Sequence, residues 1–307
     1  MNIILQLALL SLGFVMLVKG SDWFVDGAAS IAAKFRIPQI IIGLTIVAMG
    51  TSAPEAAVSI TAAMGGSADI TVGNIVGSNI LNVLVILGLA SAIVPVAVGA
   101  STQKIDAPFM IAISALFLAL GWDGTITRLD GAVLLVLFAS YIGYMIWGAL
   151  HSNEEGDEIK DMKVWQMLLA TAGGLALVVL GAEVAVDAAT ERATIFGMSE
   201  RFIGLTVVAL GTSLPELCTS VTAARKGNAD IAIGNIVGSN IFNILFVVGL
   251  SSMIIDVPFA SNFRIDMAVA VAASLFMWVA SLKNKKLVRW HGIVMLLGYA
   301  AYFLYLL

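Results

Sequence analysis

Long apolar runs separated by short polar breaks fill this chain nearly from end to end. A hydrocarbon core of roughly 30 Å takes about 20 apolar residues per helix. The runs predict ten crossings, at about 3–26, 39–64, 70–95, 106–121 and 129–150, then 165–188, 202–224, 230–255, 265–282 and 290–307. The first run has no basic stretch before it and no small-residue cleavage site after it, so it reads as a retained helix and not a signal peptide. The predicted fold class is an all-α polytopic membrane protein. Composition agrees: 60% of the 307 residues are hydrophobic and 12% charged, with a mean hydropathy of +1.01, against about 45–50% and about 25% in soluble domains. The net charge is −4 and the basic residues are scattered among loops, which points away from nucleic acid. The single cysteine, Cys218, lies in an apolar run, admits no intramolecular disulfide and reads as a packing residue.

The chain repeats itself. Shifted by 161 residues, GLTIVAMGTSAPE from Gly43 faces GLTVVALGTSLPE from Gly204, and ADITVGNIVGSNILN from Ala68 faces ADIAIGNIVGSNIFN from Ala229. The match extends upstream, where Asp22 and Asp26 face Glu183 and Asp187, and downstream, where RLDG at 128–131 faces RWHG at 289–292. Residues 1–150 and 164–307 are therefore two five-helix units, and the polar segment 151–163 is a connector that lacks the ligand spacing of an EF-hand loop. Five crossings per unit force the second to enter the membrane from the opposite face, so the repeat is inverted. Equivalent loops should then differ in basic residues, and they do: GGSAD has none where its partner carries Arg225 and Lys226, and the last loop of the second unit has Lys283, Lys285, Lys286 and Arg289 against Arg128 in its counterpart. One face collects these six with Lys34, Arg36, Lys104, Lys160 and Lys163; the other has Arg128, Arg192, Arg201 and Arg264. The richer face is expected to be cytoplasmic, with both termini extracytoplasmic.

Each GTSxPE motif puts a glutamate, Glu55 or Glu216, inside an apolar run that has no Lys or Arg. A mid-membrane carboxylate costs about 2.5 kcal/mol or more, so it signals function. Pro54 and Pro215 cannot donate a backbone N–H, leave the carbonyls of Gly50 and Gly211 without helical partners, and should break both helices. Irregular backbone at that depth is tolerated where it lines a cavity, and matched breaks in two inverted repeats mark a transporter's ion site. The carbonyls near Ala48, Thr51, Ala209 and Thr212 are thus candidate ligands. Thr51 and Ser52 stand four and three residues before Glu55, as Thr212 and Ser213 do before Glu216, so hydroxyl and carboxylate can share a face. On the next helix Asn74, Ser78 and Asn82 recur every four residues, matched by Asn235, Ser239 and Asn243. For Asn74 and Asn235 plain interhelical hydrogen bonding is the competing reading. All these ligands are oxygens, which suits Ca²⁺ or a small group of monovalent cations and not Zn²⁺.

The duplicated GTSxPE, each copy followed by GNIVGSNIxxN, resembles the signature of the Ca²⁺/cation antiporter superfamily, closest to the prokaryotic sodium/calcium exchangers. The resemblance covers essentially the whole chain. It implies ten helices in two inverted bundles, with helices 2, 3, 7 and 8 broken or irregular near mid-membrane, and alternating access gated by helices 1 and 6. Carried over by motif position, Glu55 and Glu216 resemble the shared calcium ligands, with the carbonyls of Thr51 and Thr212. Thr51, Ser52, Ser78 and the Ala48 carbonyl resemble one sodium site, Thr212, Ser213, Ser239 and the Ala209 carbonyl its mate, and Asn82 and Asn243 the middle of the cluster.

Many potassium-dependent relatives have Asp where this chain has Asn243, which removes a third carboxylate and implies K⁺-independent exchange. The expected function is Na⁺/Ca²⁺ antiport in the cell membrane by a functional monomer with no cofactor. With the family's three-to-one stoichiometry each cycle moves one charge, worth about 2.3 kcal/mol per 100 mV. Proton/calcium exchange is the alternative, because a buried glutamate binds H⁺ as well as Na⁺. An aspartyl-type intramembrane protease would need a close dyad, and a cation channel oligomer symmetry or filter loops.

Overall fold

In hydrocarbon every backbone polar group needs a partner within reach, and this chain meets that demand with helices. The structure, a computed structural model, describes residues 3–151, 162–195 and 209–306. In chain order the helices are α1 (Ile3–Phe35), α2 (Gln39–Thr51), α3 (Ala53–Met64), α4 (Ile70–Ile93), α5 (Thr102–Asp123), α6 (Arg128–His151), α7 (Val164–Ile195), α8 (Ala209–Thr212), α9 (Leu214–Arg225), α10 (Ala229–Ile254), α11 (Phe263–Leu282) and α12 (Arg289–Leu306). Among the described residues seven helices are long and apolar enough to cross a membrane, or eight if the bent α2–α3 pair counts as one. Most of the connector at 151–163, with Lys160, lies outside the described residues, as do Arg201 and the start of the run at 202–224.

α1 and α7 continue well past their predicted ends near residues 26 and 188. The polar positions that suggested an earlier end of α1 are absorbed by the helix. Ser30 Oγ donates to the Asp26 carbonyl at 2.7 Å, and Lys226 reaches Asp26 Oδ1 at 2.8 Å and Asp22 Oδ1 at 3.3 Å, tying α1 to the far end of α9. The chain turns at Arg36, which takes a left-handed φ of 55° just ahead of Pro38.

Glycines set two close helix contacts. On α1, Gly13, Gly20 and Gly27 recur every seven residues and face Gly181, Gly174 and Thr171 of α7. A Cβ on Gly174 would stand 2.4 Å from the Phe24 nitrogen and 2.8 Å from the Gly20 carbonyl oxygen, so the two backbones touch. Elsewhere Gly43 of α2 lies against Gly234 of α10, and a Cβ on Gly238 would meet the Leu44 carbonyl oxygen at 2.6 Å. This second contact seats α2 directly on the most deeply buried helix, α10, of whose span 94% is buried.

Two short antiparallel ladders join loops from different halves. β1 (Val96–Ala97) pairs with β4 (Lys286–Leu287), and β2 (Thr125–Ile126) with β3 (Val257–Pro258). β1 precedes α5 and β2 follows it, so the ladders lie at opposite ends of that helix. Arg128 and Arg264 gather at the β2–β3 end, where Arg128 donates to the Ile254 carbonyl and Arg264 to that of Trp122. Cys218 packs beside a small apolar cluster of Leu17, Val178, Ala182 and Ala185.

The α1–α7 contact can be tested at single glycines. Overpacking a tight contact costs about 1–3 kcal/mol, so Gly174→Ala is expected to lower the unfolding temperature in detergent by several degrees. Gly143→Ala, at a site with nothing within 4 Å, is expected to leave it unchanged. Equal unfolding temperatures for Gly174→Ala and the unsubstituted protein would rule the contact out.

Candidate functional site

Each glutamate sits where a helix restarts. α2 ends at Thr51, Ser52 leaves helical geometry (φ −82°, ψ 8°), and α3 begins at Ala53 with Pro54 and Glu55 in its first turn. The axis turns by 50° there. The second copy repeats this: α8 runs Ala209–Thr212, Ser213 breaks it (φ −91°, ψ 4°), and Pro215 and Glu216 open α9. The break precedes the proline, because proline in a first turn forfeits no helical hydrogen bond. The Ala48 carbonyl accordingly keeps the Ser52 N–H at 3.0 Å. Both carboxylates thereby lie in the first turn of a helix, where the helix dipole favours a negative charge by about 0.3–1 kcal/mol.

The two halves meet through these breaks. Ser52 Oγ donates to Glu216 Oε1 at 2.8 Å, and in reverse Ser213 Oγ donates to Glu55 Oε1 at 3.3 Å. Ser78 Oγ reaches Glu55 Oε1 at 3.5 Å. The Thr212 hydroxyl stands beside Glu55 and the Thr51 hydroxyl beside Glu216. Ser239 Oγ donates to the Ala48 carbonyl at 3.4 Å, across the glycine contact between α2 and α10. The predicted residues of both motifs thus converge on one cluster, with Ala209 one turn ahead of Thr212.

Asn74 and Asn235 brace the broken helices. Asn74 Nδ2 donates to the Glu55 carbonyl at 3.1 Å and to Ser59 Oγ at 2.9 Å. Asn235 Nδ2 makes the matching bonds to the Glu216 carbonyl at 3.4 Å and Ser220 Oγ at 2.9 Å, and its Oδ1 accepts from Thr51 Oγ1 at 2.9 Å. The hydrogen-bonding reading of these two asparagines is the one their contacts fit.

Asn79 and Asn240, absent from the predicted set, hold the cluster's centre. Asn82 Nδ2 donates to Asn240 Oδ1 at 2.9 Å and Asn243 Nδ2 to Asn79 Oδ1 at 3.0 Å. Asn79 and Asn240 also donate to each other's backbone carbonyls, at 3.4 and 3.2 Å. Their signal in the sequence was the repeated GSN, one position beyond the four-residue stripe. From Asn82 and from Asn243 the helix widens into a π-helical stretch of six residues, a distortion frequent at functional sites.

After these bonds four buried carboxylate and amide oxygens of the cluster have no partner: Glu55 Oε2, Glu216 Oε2, Asn82 Oδ1 and Asn243 Oδ1. The four residues are each 1% exposed. No basic side chain pairs with either glutamate among the described residues, and no group of three or more His, Cys, Asp or Glu gathers there. The cluster therefore offers two negative charges and an all-oxygen set of neutral donors, suited to hard cations.

Comparison with known proteins decides the family. The model of the family described as "Sodium/calcium exchanger protein" matches residues 5–147 and 167–307. The chain belongs to the sodium/calcium exchanger family. It is 32% identical to the sodium/calcium exchanger MaX1 of Methanosarcina acetivorans, with 96% of each chain covered, and 36% identical to the inner membrane protein YrbG of Escherichia coli, covering 90% of this chain and 89% of that one. Among solved structures, the sodium-calcium exchanger NCX_Mj soaked with Na⁺ and Sr²⁺ superposes with a TM-score of 0.88 at 35% identity, with 98% of each chain covered. This exchanger is an integral membrane transporter of the cation/Ca²⁺ type and not an enzyme.

The bracing role of Asn235 predicts a graded response. Asn235 is fully buried with three hydrogen-bond partners, whereas Asn74 is half-buried with two. Leaving a buried polar group unpaired costs about 1–3 kcal/mol, so Asn235→Ala is expected to lower the unfolding temperature more than Asn74→Ala and to weaken ⁴⁵Ca²⁺ binding by tenfold or more. Equal effects of the two would rule out a stronger bracing role for Asn235.

Proposed function

We propose that the chain exchanges Na⁺ for Ca²⁺ by alternating access, using Glu55 and Glu216 as shared ligands. The observation that carries this reading is the set of four unpartnered buried oxygens, Glu55 Oε2, Glu216 Oε2, Asn82 Oδ1 and Asn243 Oδ1, supplied in equal numbers by the two halves. Two carboxylates balance one Ca²⁺, and the same two charges hold a small group of Na⁺ ions, which gives the competition that exchange needs. Thr51, Ser52, Ser78 and the Ala48 carbonyl form the sodium ground on one side. Thr212, Ser213, Ser239 and the Ala209 carbonyl form it on the other, with Asn82 and Asn243 between them.

The proposed architecture is ten membrane helices in two inverted five-helix units, 1–150 and 164–307, joined by the 151–163 connector. In support, the family match falls into two segments, and Val96 and its repeat mate Val257 lie in ladders at opposite ends of α5. Lys286, at the β1–β4 end, and the Arg128–Arg264 pair, at the other, divide as the loop charges require. The β1–β4 end is then cytoplasmic, both termini are extracytoplasmic, and the location is the cell membrane. Asn243 adds no third carboxylate to the cluster, which favours transport that is K⁺-independent and, at three Na⁺ per Ca²⁺, electrogenic. One chain supplies all the ligands, so the working unit is a monomer without a cofactor.

Purified protein in Na⁺-loaded proteoliposomes is expected to take up ⁴⁵Ca²⁺ when diluted into Na⁺-free medium, equally with K⁺ or choline outside, and faster when the interior is made positive, because three Na⁺ leaving for one Ca²⁺ entering carries one net positive charge outward. Glu55→Gln and Glu216→Gln should each abolish uptake while the protein stays monodisperse. Uptake driven by a pH gradient and not by Na⁺ would assign proton/calcium exchange, and wild-type uptake in either variant would sink the shared-ligand assignment.

A further inference from the structure

Outside the central cluster, Asp106 is fully buried with neither Oδ1 nor Oδ2 hydrogen-bonded. It closes a π-helical first turn of α5 at Thr102–Asp106, and the hydroxyls of Ser101 and Thr102 stand beside it. Thr102 Oγ1 is likewise buried and unpartnered. On the neighbouring α6, Tyr141 stacks on Phe109, one turn after Asp106, with ring centroids 5.1 Å apart. The Tyr141 hydroxyl lies within electrostatic reach of Asp106 and also has no hydrogen-bond partner. No basic side chain pairs with Asp106 among the described residues; Lys104, two positions earlier, is exposed.

The second half provides an internal comparison. Across a one-residue gap in the repeat, KID at 104–106 faces RID at 264–266, 160 residues on, and Tyr141 faces Tyr302, 161 residues on. There the pair is closed: the Tyr302 hydroxyl donates to Asp266 Oδ1 at 2.9 Å. Asn262, in the place of Thr102, spends its side chain accepting the Phe263 N–H at 3.1 Å. The same two residue types thus satisfy each other in one half and are left with unpaired oxygens in the other.

We propose that Asp106, Thr102 and Tyr141 form an accessory site for one monovalent cation, separate from the central cluster. One formal charge is neutralised by one Na⁺, whereas a divalent ion would leave a net charge in a medium that solvates it poorly and would seek about six to eight oxygens. Carboxylate, hydroxyl and phenol oxygens are hard donors, suited to an alkali ion. The site does not depend on which ions the central cluster carries.

Equilibrium binding of ²²Na⁺ to the purified full-length protein tests this in a Glu55→Gln/Glu216→Gln background, where the central cluster has lost both charges. One saturable ²²Na⁺ per chain is expected to remain, to disappear when Asp106→Asn is added, and to survive Asp266→Asn. No saturable ²²Na⁺ in the double variant, or binding that persists with Asp106→Asn, would overturn the proposal. Should Asp106→Asn fail to give monodisperse protein, Tyr141→Phe removes only a hydroxyl and is expected to weaken ²²Na⁺ binding about fivefold; unchanged affinity there would overturn it equally.

Discussion

Two carboxylates held away from water are the constraint around which this structure is arranged. An ionised group in a medium of low dielectric loses its hydration, and only nearby dipoles, hydrogen-bond donors or a counter-charge can replace it. The chain supplies the first two itself. The breaks at Ser52 and Ser213 turn each glutamate from a mid-helix residue into a first-turn residue, at the positive end of a helix dipole. The break residue of each half then donates its hydroxyl to the glutamate of the other. The counter-charge is left to the cation that a member of this family carries.

Because those donations cross between halves, neither half is complete alone. Ser52 without Glu216, or the Asn235 Oδ1 without Thr51, would be a buried polar group lacking its partner, at a cost of about 1–3 kcal/mol each. Close approach of the helices is what makes the crossings possible, and glycine makes the approach possible. Gly238 lets the α2 backbone near Leu44 come within van der Waals distance of α10, and the neighbouring Ser239 then reaches the Ala48 carbonyl. The Asn79–Asn240 exchange of side-chain and backbone bonds joins α4 and α10 by the same logic.

Much of this was legible in the sequence for a physical reason. Crossing helices must be long and apolar, so they show in hydropathy, and the paired GTSxPE motifs are conspicuous because a glutamate is costly in such a run. The break was legible too, although proline marks the start of the new helix and the preceding serine is where the old one ends. Asn79 and Asn240 were missed because a four-residue stripe reads one face of a helix, and an adjacent residue points about 100° away, toward a neighbour that only tertiary packing identifies. The π-helical stretches after Asn82 and Asn243 and the two-residue ladders between loops depend on packing in the same way.

Internal duplication also turns small differences into information, since each residue has a counterpart in the same fold. Thr51 is fully buried and bonded to Asn235, whereas Thr212 is half-buried. Ser52 meets Glu216 at 2.8 Å, but Ser213 stands 3.3 Å from Glu55. A perfectly symmetric cluster would expose its ions equally to both sides of the membrane and would dissipate a gradient. An exchanger needs a cluster whose two halves share their ligands but differ at any one moment in how tightly they close around them. In this chain the repeat brings matched residues of both halves into one cluster and buries them unequally.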